Sequence, residues 1–98
     1  MKLIQKLSDM ISEEIDDAYK YAKCYQEHKD FDPELARTFS LLANEELNHV
    51  NLLHVQVVRI IKTWREKNGE PPASMTAVYD YLHNRQIEKV ADVKAILA

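Results

Sequence analysis

Glycine and proline occur at only two places in the 98 residues: Pro33, and the group Gly69, Pro71 and Pro72. These are the residues that helices tolerate least in their interiors. Their distribution leaves three long segments free to propagate as helices, over about 2–28, 33–67 and 73–97. Asp32 before Pro33 reads as an N-cap followed by proline at the first helical position, with Glu34 placed to suit the helix dipole. Asn68-Gly69 reads as a C-terminal stop, and Pro71-Pro72 blocks further propagation. The expectation is a single all-α domain, a long antiparallel helical hairpin plus a third helix.

The apolar spacing agrees with helices and points to bundle packing. Ile4, Leu7, Ile11, Glu14, Ala18, Tyr21, Tyr25 and His28 alternate three and four apart along the first segment. In the second, Leu35, Phe39, Leu42, Glu46, His49, Leu53, Gln56 and Ile60 do the same. A repeat near 3.5 residues favours long helices crossing at a shallow angle. The first helix carries Lys6, Asp9, Glu13, Asp16, Lys20, Lys23 and Glu27 on its opposite side, a solvated face. The second helix has a further apolar stripe, Ala43, Leu47, Val50, His54, Val57 and Ile61, so it needs two neighbours. In the third segment Met75, Val78, Tyr79, Leu82, Ile87, Val90, Val93 and Leu97 are the expected packing positions. Its pattern is less regular, and a break is expected near Asn84-Arg85.

Two seams are interrupted by groups that do not belong in a hydrocarbon core. Glu46 and His49 stand one turn apart on one helical face, and Glu14 replaces an apolar residue in the first seam. The short connection forces the two helices antiparallel. Glu14 lies 14 residues before His28, while Glu46 and His49 lie 13 and 16 residues after Pro33. At ~1.5 Å per residue the three reach one height on the hairpin to within about a turn. A buried carboxylate is costly unless it is paired or bound to a metal. One reading is therefore metal ligation by Glu14, Glu46 and His49. The other is a buried Glu–His ion pair that fixes dimer register.

Carboxylate-bridged di-iron sites in four-helix bundles use a Glu from each of two helices and a Glu-x-x-His from each of the other two. This chain supplies that set once. A two-fold homodimer supplies it twice, with two metals between the subunits. Carboxylates with imidazole suit iron, manganese or zinc, and a bridging-carboxylate arrangement favours iron.

The pattern Glu14-x6-Tyr21, followed by Asn44-Glu45-Glu46-Leu47-Asn48-His49, resembles the ferritin-like superfamily, over roughly residues 11–64. Within it the likeness is to half-length encapsulated ferritins, whose ferroxidase centre forms across a dimer interface. The resemblance implies a four-helix bundle completed by homodimerisation or higher homo-oligomerisation, and Fe(II) oxidation at a di-iron site. It implies Glu14 as a terminal or bridging ligand, Glu46 as a bridging ligand, His49 as a nitrogen ligand, and Tyr21 as a hydrogen-bond partner that orients ligands. Glu13 and Asp16 fall where the family keeps acidic groups that guide iron inward, and a shell protein is the family's partner. Val93-Lys94-Ala95-Ile96-Leu97-Ala98 is not an evident cargo-loading peptide.

The remaining residues narrow the alternatives. A net charge of -3 and a pI near 5.8 argue against a nucleic-acid surface. No run approaches 18 apolar residues, so no membrane span is expected. Met1 to Met10 lacks a signal-peptide pattern, and a lone Cys24 closes no internal disulfide and gives no CxxC site. The expected compartment is reducing and cytoplasmic, inside a protein shell if the family likeness extends so far. Asp17, one turn from Glu14, is a candidate extra ligand. His28 and Cys24 carry no assigned role. His54 reads as a core histidine facing the third helix, where His83 is a candidate neighbour. A non-catalytic helical assembly protein, phage-related or similar, is the different-class alternative.

Overall fold

The computed structural model describes all 98 residues and contains three α-helices and no strand: α1, Lys2–His28; α2, Pro33–Asn68; and α3, Ala73–Leu97. The molecule is a rod of 55 × 19 × 19 Å. Its long axis is the length of α2, whose 36 residues span ~54 Å at 1.5 Å each. No helix is long and apolar enough to cross a membrane.

Local chemistry explains where the helices stop. The Asp32 carboxylate accepts the Leu35 backbone N–H at 3.2 Å, and Pro33 follows at the first helical position. At the other end of α2, the Gly69 N–H donates to the Arg65 carbonyl at 2.8 Å while Gly69 takes a φ of 78°, a conformation that glycine adopts without strain. No break occurs at Asn84-Arg85. Neither residue lacks an N–H, and the exposed Arg85 donates to the Tyr81 hydroxyl one turn back at 3.2 Å, so α3 continues through.

The core runs along one face of each helix. Ile4, Ile11, Ile15, Val50 and Val57 form one buried cluster, and Ala18, Ala22, Ala43, Leu47 and Val93 form the next. Ala18, Ala22 and Ala43 are fully buried, and their small side chains let the backbones approach closely there. The stripe of α2 that packs inside the chain is therefore the second one, through Ala43, Leu47, Val50 and Val57. In α1 the buried face is Ile4, Ser8, Ile11, Ile15, Ala18 and Ala22. It is rotated from the expected seam, so Leu7, Glu14, Tyr21, Tyr25 and His28 are only half-buried.

Helix α3 fills one groove of the hairpin and runs parallel to α1. Gln86 Nε2 donates to the Ser8 carbonyl at 3.1 Å and lies 3.2 and 3.1 Å from the Ser8 and Ser12 hydroxyls. Lys89 meets Asp16 at 3.5 Å, and Val93 packs with Ala18 and Ala22. Of the expected packing positions, Tyr79, Val90, Val93 and Leu97 face the hairpin. Met75, Val78, Leu82 and Ile87 are exposed, because Gln86 rather than an apolar residue centres the contact face. The groove opposite α3 stays open, and the Glu14, Glu46 and His49 positions lie along it.

This packing predicts a contrast between neighbouring residues of α1. Ile15 is fully enclosed, so Ile15→Ala is expected to lose about 3 kcal/mol in urea unfolding. Leu7→Ala, on the half-open edge, is expected to lose less than half of that.

Candidate metal centre

One turn of α1 and one turn of α2 meet halfway along the hairpin. Glu14 projects from α1 into the open groove, and Glu46 and His49 project towards it from successive turns of α2. His49 Nδ1 lies 3.4 Å from Glu14 Oε2 and 3.4 Å from Glu46 Oε2. One donor atom from each residue fits within a 4.8 Å span. The ring N–H is aligned as a hydrogen bond only towards Glu14. Glu46 Oε2 is consequently buried without any hydrogen-bond partner. The side chains grade from exposed to enclosed across the site: His49 at 51%, Glu14 at 30% and Glu46 at 17% of full exposure.

The charges do not balance on their own. Hydrogen bonding with Glu46, and then with His49, holds the Glu14 carboxyl below its ordinary value against the opposing effect of burial. The same hydrogen bond, burial and the Glu14 charge push Glu46 up. Hydrogen bonding to Glu14 raises His49, with the charges of Glu46 and Glu14 adding to it against desolvation. Two carboxyls in contact oppose each other's ionisation, which is why Glu14 moves down and Glu46 up. A cation held by the three groups would offset the two carboxylate charges and give the Glu46 oxygen a partner.

The donor set fits such an ion. Two carboxylates and an imidazole are ligands for iron, manganese or zinc. An imidazole nitrogen 3.4 Å from each carboxylate oxygen would subtend about 110° with either at an ion ~2.1 Å from both, a normal angle for these metals. Glu14, Glu46 and His49 could therefore hold a metal ion.

The other residues singled out from the sequence lie around this trio in different ways. The half-buried Tyr21 ring stacks on Phe39 with centroids 6.5 Å apart, and its hydroxyl makes no hydrogen bond to the cluster. Asp17 is exposed and stands outside the group of donor atoms. Glu13 is exposed, and Asp16 faces the other groove, where it pairs with Lys89 of α3. His28 Nδ1 donates to the Cys24 carbonyl at 2.8 Å, and its ring tilts against Phe39. Cys24 is a half-buried free thiol. Phe39 thus organises the aromatic end of the open groove. Its place between Leu35 and Leu42 in the seam was the available signal.

Compared with protein-family models, with curated proteins and with solved structures, the chain matches none.

The charge imbalance predicts an unusual stability effect. Glu46 is raised, so its folded form holds a proton more tightly than its unfolded form does. It destabilises the fold as pH climbs above its ordinary value of 4.5. In metal-free buffer at pH 7, Glu46→Gln is expected to raise the thermal midpoint by about 2–5 °C. A lowered midpoint would instead assign the carboxylate to structural pairing with His49.

Proposed function

We propose that the chain is a ferritin-like, iron-binding protein that oxidises Fe(II) at sites shared between two copies. The observation that carries this reading is the trio itself: Glu14, Glu46 and His49 bring one donor atom each within 4.8 Å of one another across the hairpin.

The open groove supports the two-copy arrangement. Half-buried Leu7, Leu42, Leu53 and Ile60 flank the three donors, and Met10 and Leu35 extend the strip at 39% and 38% exposure. A second hairpin laid across this groove by a two-fold axis covers the strip and encloses the exposed His49. It also brings a second Glu and a second Glu-x-x-His to the same level. Four helices then surround the paired sites, and each α3 remains on the outside.

Fe(II) is the substrate in this scheme, giving up electrons to dioxygen or a peroxide. The chain's part is placement and charge. Glu14 and Glu46 neutralise the cations, and the neutral imidazole of His49 offers Nδ1. The apolar flank limits water at the centre. Manganese or zinc fits the donors as well, and competition between metals identifies the preferred ion. A reducing compartment such as the cytoplasm suits both Fe(II) and the free Cys24 thiol.

One observation favours a second reading, a helical assembly module without catalysis. His49 already bonds to Glu14 and stands beside Glu46, so part of the cluster's charge is met by the chain itself.

The deciding experiment is metal content and Fe(II) oxidation on metal-free protein, with mass determined in solution. The expected result is about one iron per chain, two per dimer, and oxidation that rises with the dimer fraction. Glu46→Ala and His49→Ala are expected to weaken metal binding by at least about 100-fold and to abolish oxidation while the dimer persists. A dimer that retains no metal and oxidises nothing would leave the assembly module standing.

A further inference from the structure

The side of the hairpin away from the carboxylates holds a second group of titratable rings. His54 of α2 and His83 of α3 lie face to face, with ring centroids 4.8 Å apart and planes 12° apart. Tyr79 stacks on His83 at 5.8 Å. This stack joins α3 to α2. The polar attachments of α3 go instead to α1, through Gln86 with Ser8 and Ser12 and through Lys89 with Asp16.

The surroundings of the two imidazoles provide nothing to neutralise a positive charge. Both rings line a cavity of about 390 Å³ together with Ile11, Val50, Asn51, Gln86, Val90 and Lys94, and no aspartate or glutamate lines it. From α3 the titratable groups nearby are Tyr79 and the cationic Lys94. From α2 there is His54 alone, beside the neutral Asn51. From α1 the lining residue is Ile11, and the adjacent Ser8 and Ser12 are taken up by Gln86. Asp80 acts on the Tyr79 phenol but not on His54. Stacked neutral imidazoles pack well in such a place. Two imidazoliums there repel each other.

We propose that the His54–His83 stack is an acid-sensitive latch, whose protonation releases α3 from the hairpin while α1 and α2 stay paired. Release uncovers the Ile11, Val50 and Val57 cluster against which Tyr79 and Val90 pack. Burial, and then the neighbouring His83, already hold His54 below its ordinary value of 6.5. The released ring has the ordinary value, so below pH 6.5 the released state binds the proton more tightly than the docked state. The advantage grows by up to about tenfold per pH unit until the docked ring protonates too. Above pH 6.5 docking is at full strength. The latch does not depend on metal binding, because its groups face the opposite groove.

Hydrogen exchange of backbone amides between pH 7.5 and 5, corrected for intrinsic rates and run on metal-free full-length protein, tests this. The expected result is an opening equilibrium of α3 that rises on the order of tenfold towards acid while α1 and α2 keep their protection. His83→Phe keeps a ring in the stack and removes its charge, and it is expected to lessen the response, the burial of His54 maintaining the rest. If that variant fails to dock at pH 7.5, the His54 ring protons of the unaltered chain provide the same reading by NMR, titrating below 6.5 in step with the α3 amides. The latch is overturned by pH-independent α3 protection. It is equally overturned by equal loss of protection in all three helices, or by an undiminished acid response in His83→Phe.

Discussion

The short turn between His28 and Pro33 holds α1 and α2 in one register, and both grooves of the molecule inherit their chemistry from it. The Asp32 N–H donates to the His28 carbonyl at 2.8 Å, and the Phe31 N–H shares that acceptor at 3.0 Å. Asp32 then caps α2 with its own carboxylate. With both helix ends tied to the same few residues, sliding one helix along the other means breaking a cap. Glu14 therefore meets Glu46 and His49 at a height that the turn determines some 14 residues away. The enclosed alanines, Ala18, Ala22 and Ala43, reinforce the register, since only there can the two backbones come close.

Once the hairpin is set, its two grooves differ in chemistry. One is filled from within the chain by α3, whose contact face is partly polar: Gln86 reaches across to Ser8 and Ser12, and His83 stacks on His54. The other is lined by leucines, isoleucine and aromatics and holds the carboxylates. A helix with a buried glutamine at its centre suits the serine-bearing side of α1, where Gln86 meets Ser8 and Ser12 and Lys89 meets Asp16.

The helices and the trio were legible in the sequence because each rests on short-range signals. Glycine, proline and capping residues mark the ends, and Glu46 with His49 is a three-residue spacing on one face. Joining Glu14 to that pair needed only the length of the turn. What could not be read was which of the two apolar stripes of α2 packs inside the chain, because both repeat with the same period and similar residues. The same ambiguity displaces the α1 seam: the 3.5-residue repeat puts Glu14, Tyr21 and His28 with Leu7 on the buried line, whereas Ser8, Ile15 and Ala22 are the enclosed residues. Ser8 in particular reads as polar, and it is buried only because Gln86, 78 residues away, satisfies it. The pairing of two polar residues so far apart leaves no periodic trace in either helix.

The unequal exposure of the trio bears on why the open groove matters. Glu46 is enclosed and its oxygen lacks a partner, while His49 still reaches solvent. A carboxyl pair half-sunk in an apolar strip is unfavourable for a chain left alone, since burial raises the cost of ionisation without supplying a counter-charge. In the proposed reading a cation supplies the charge, and a second hairpin supplies the enclosure. In the proposed dimer each requirement is met by the component that also needs the other.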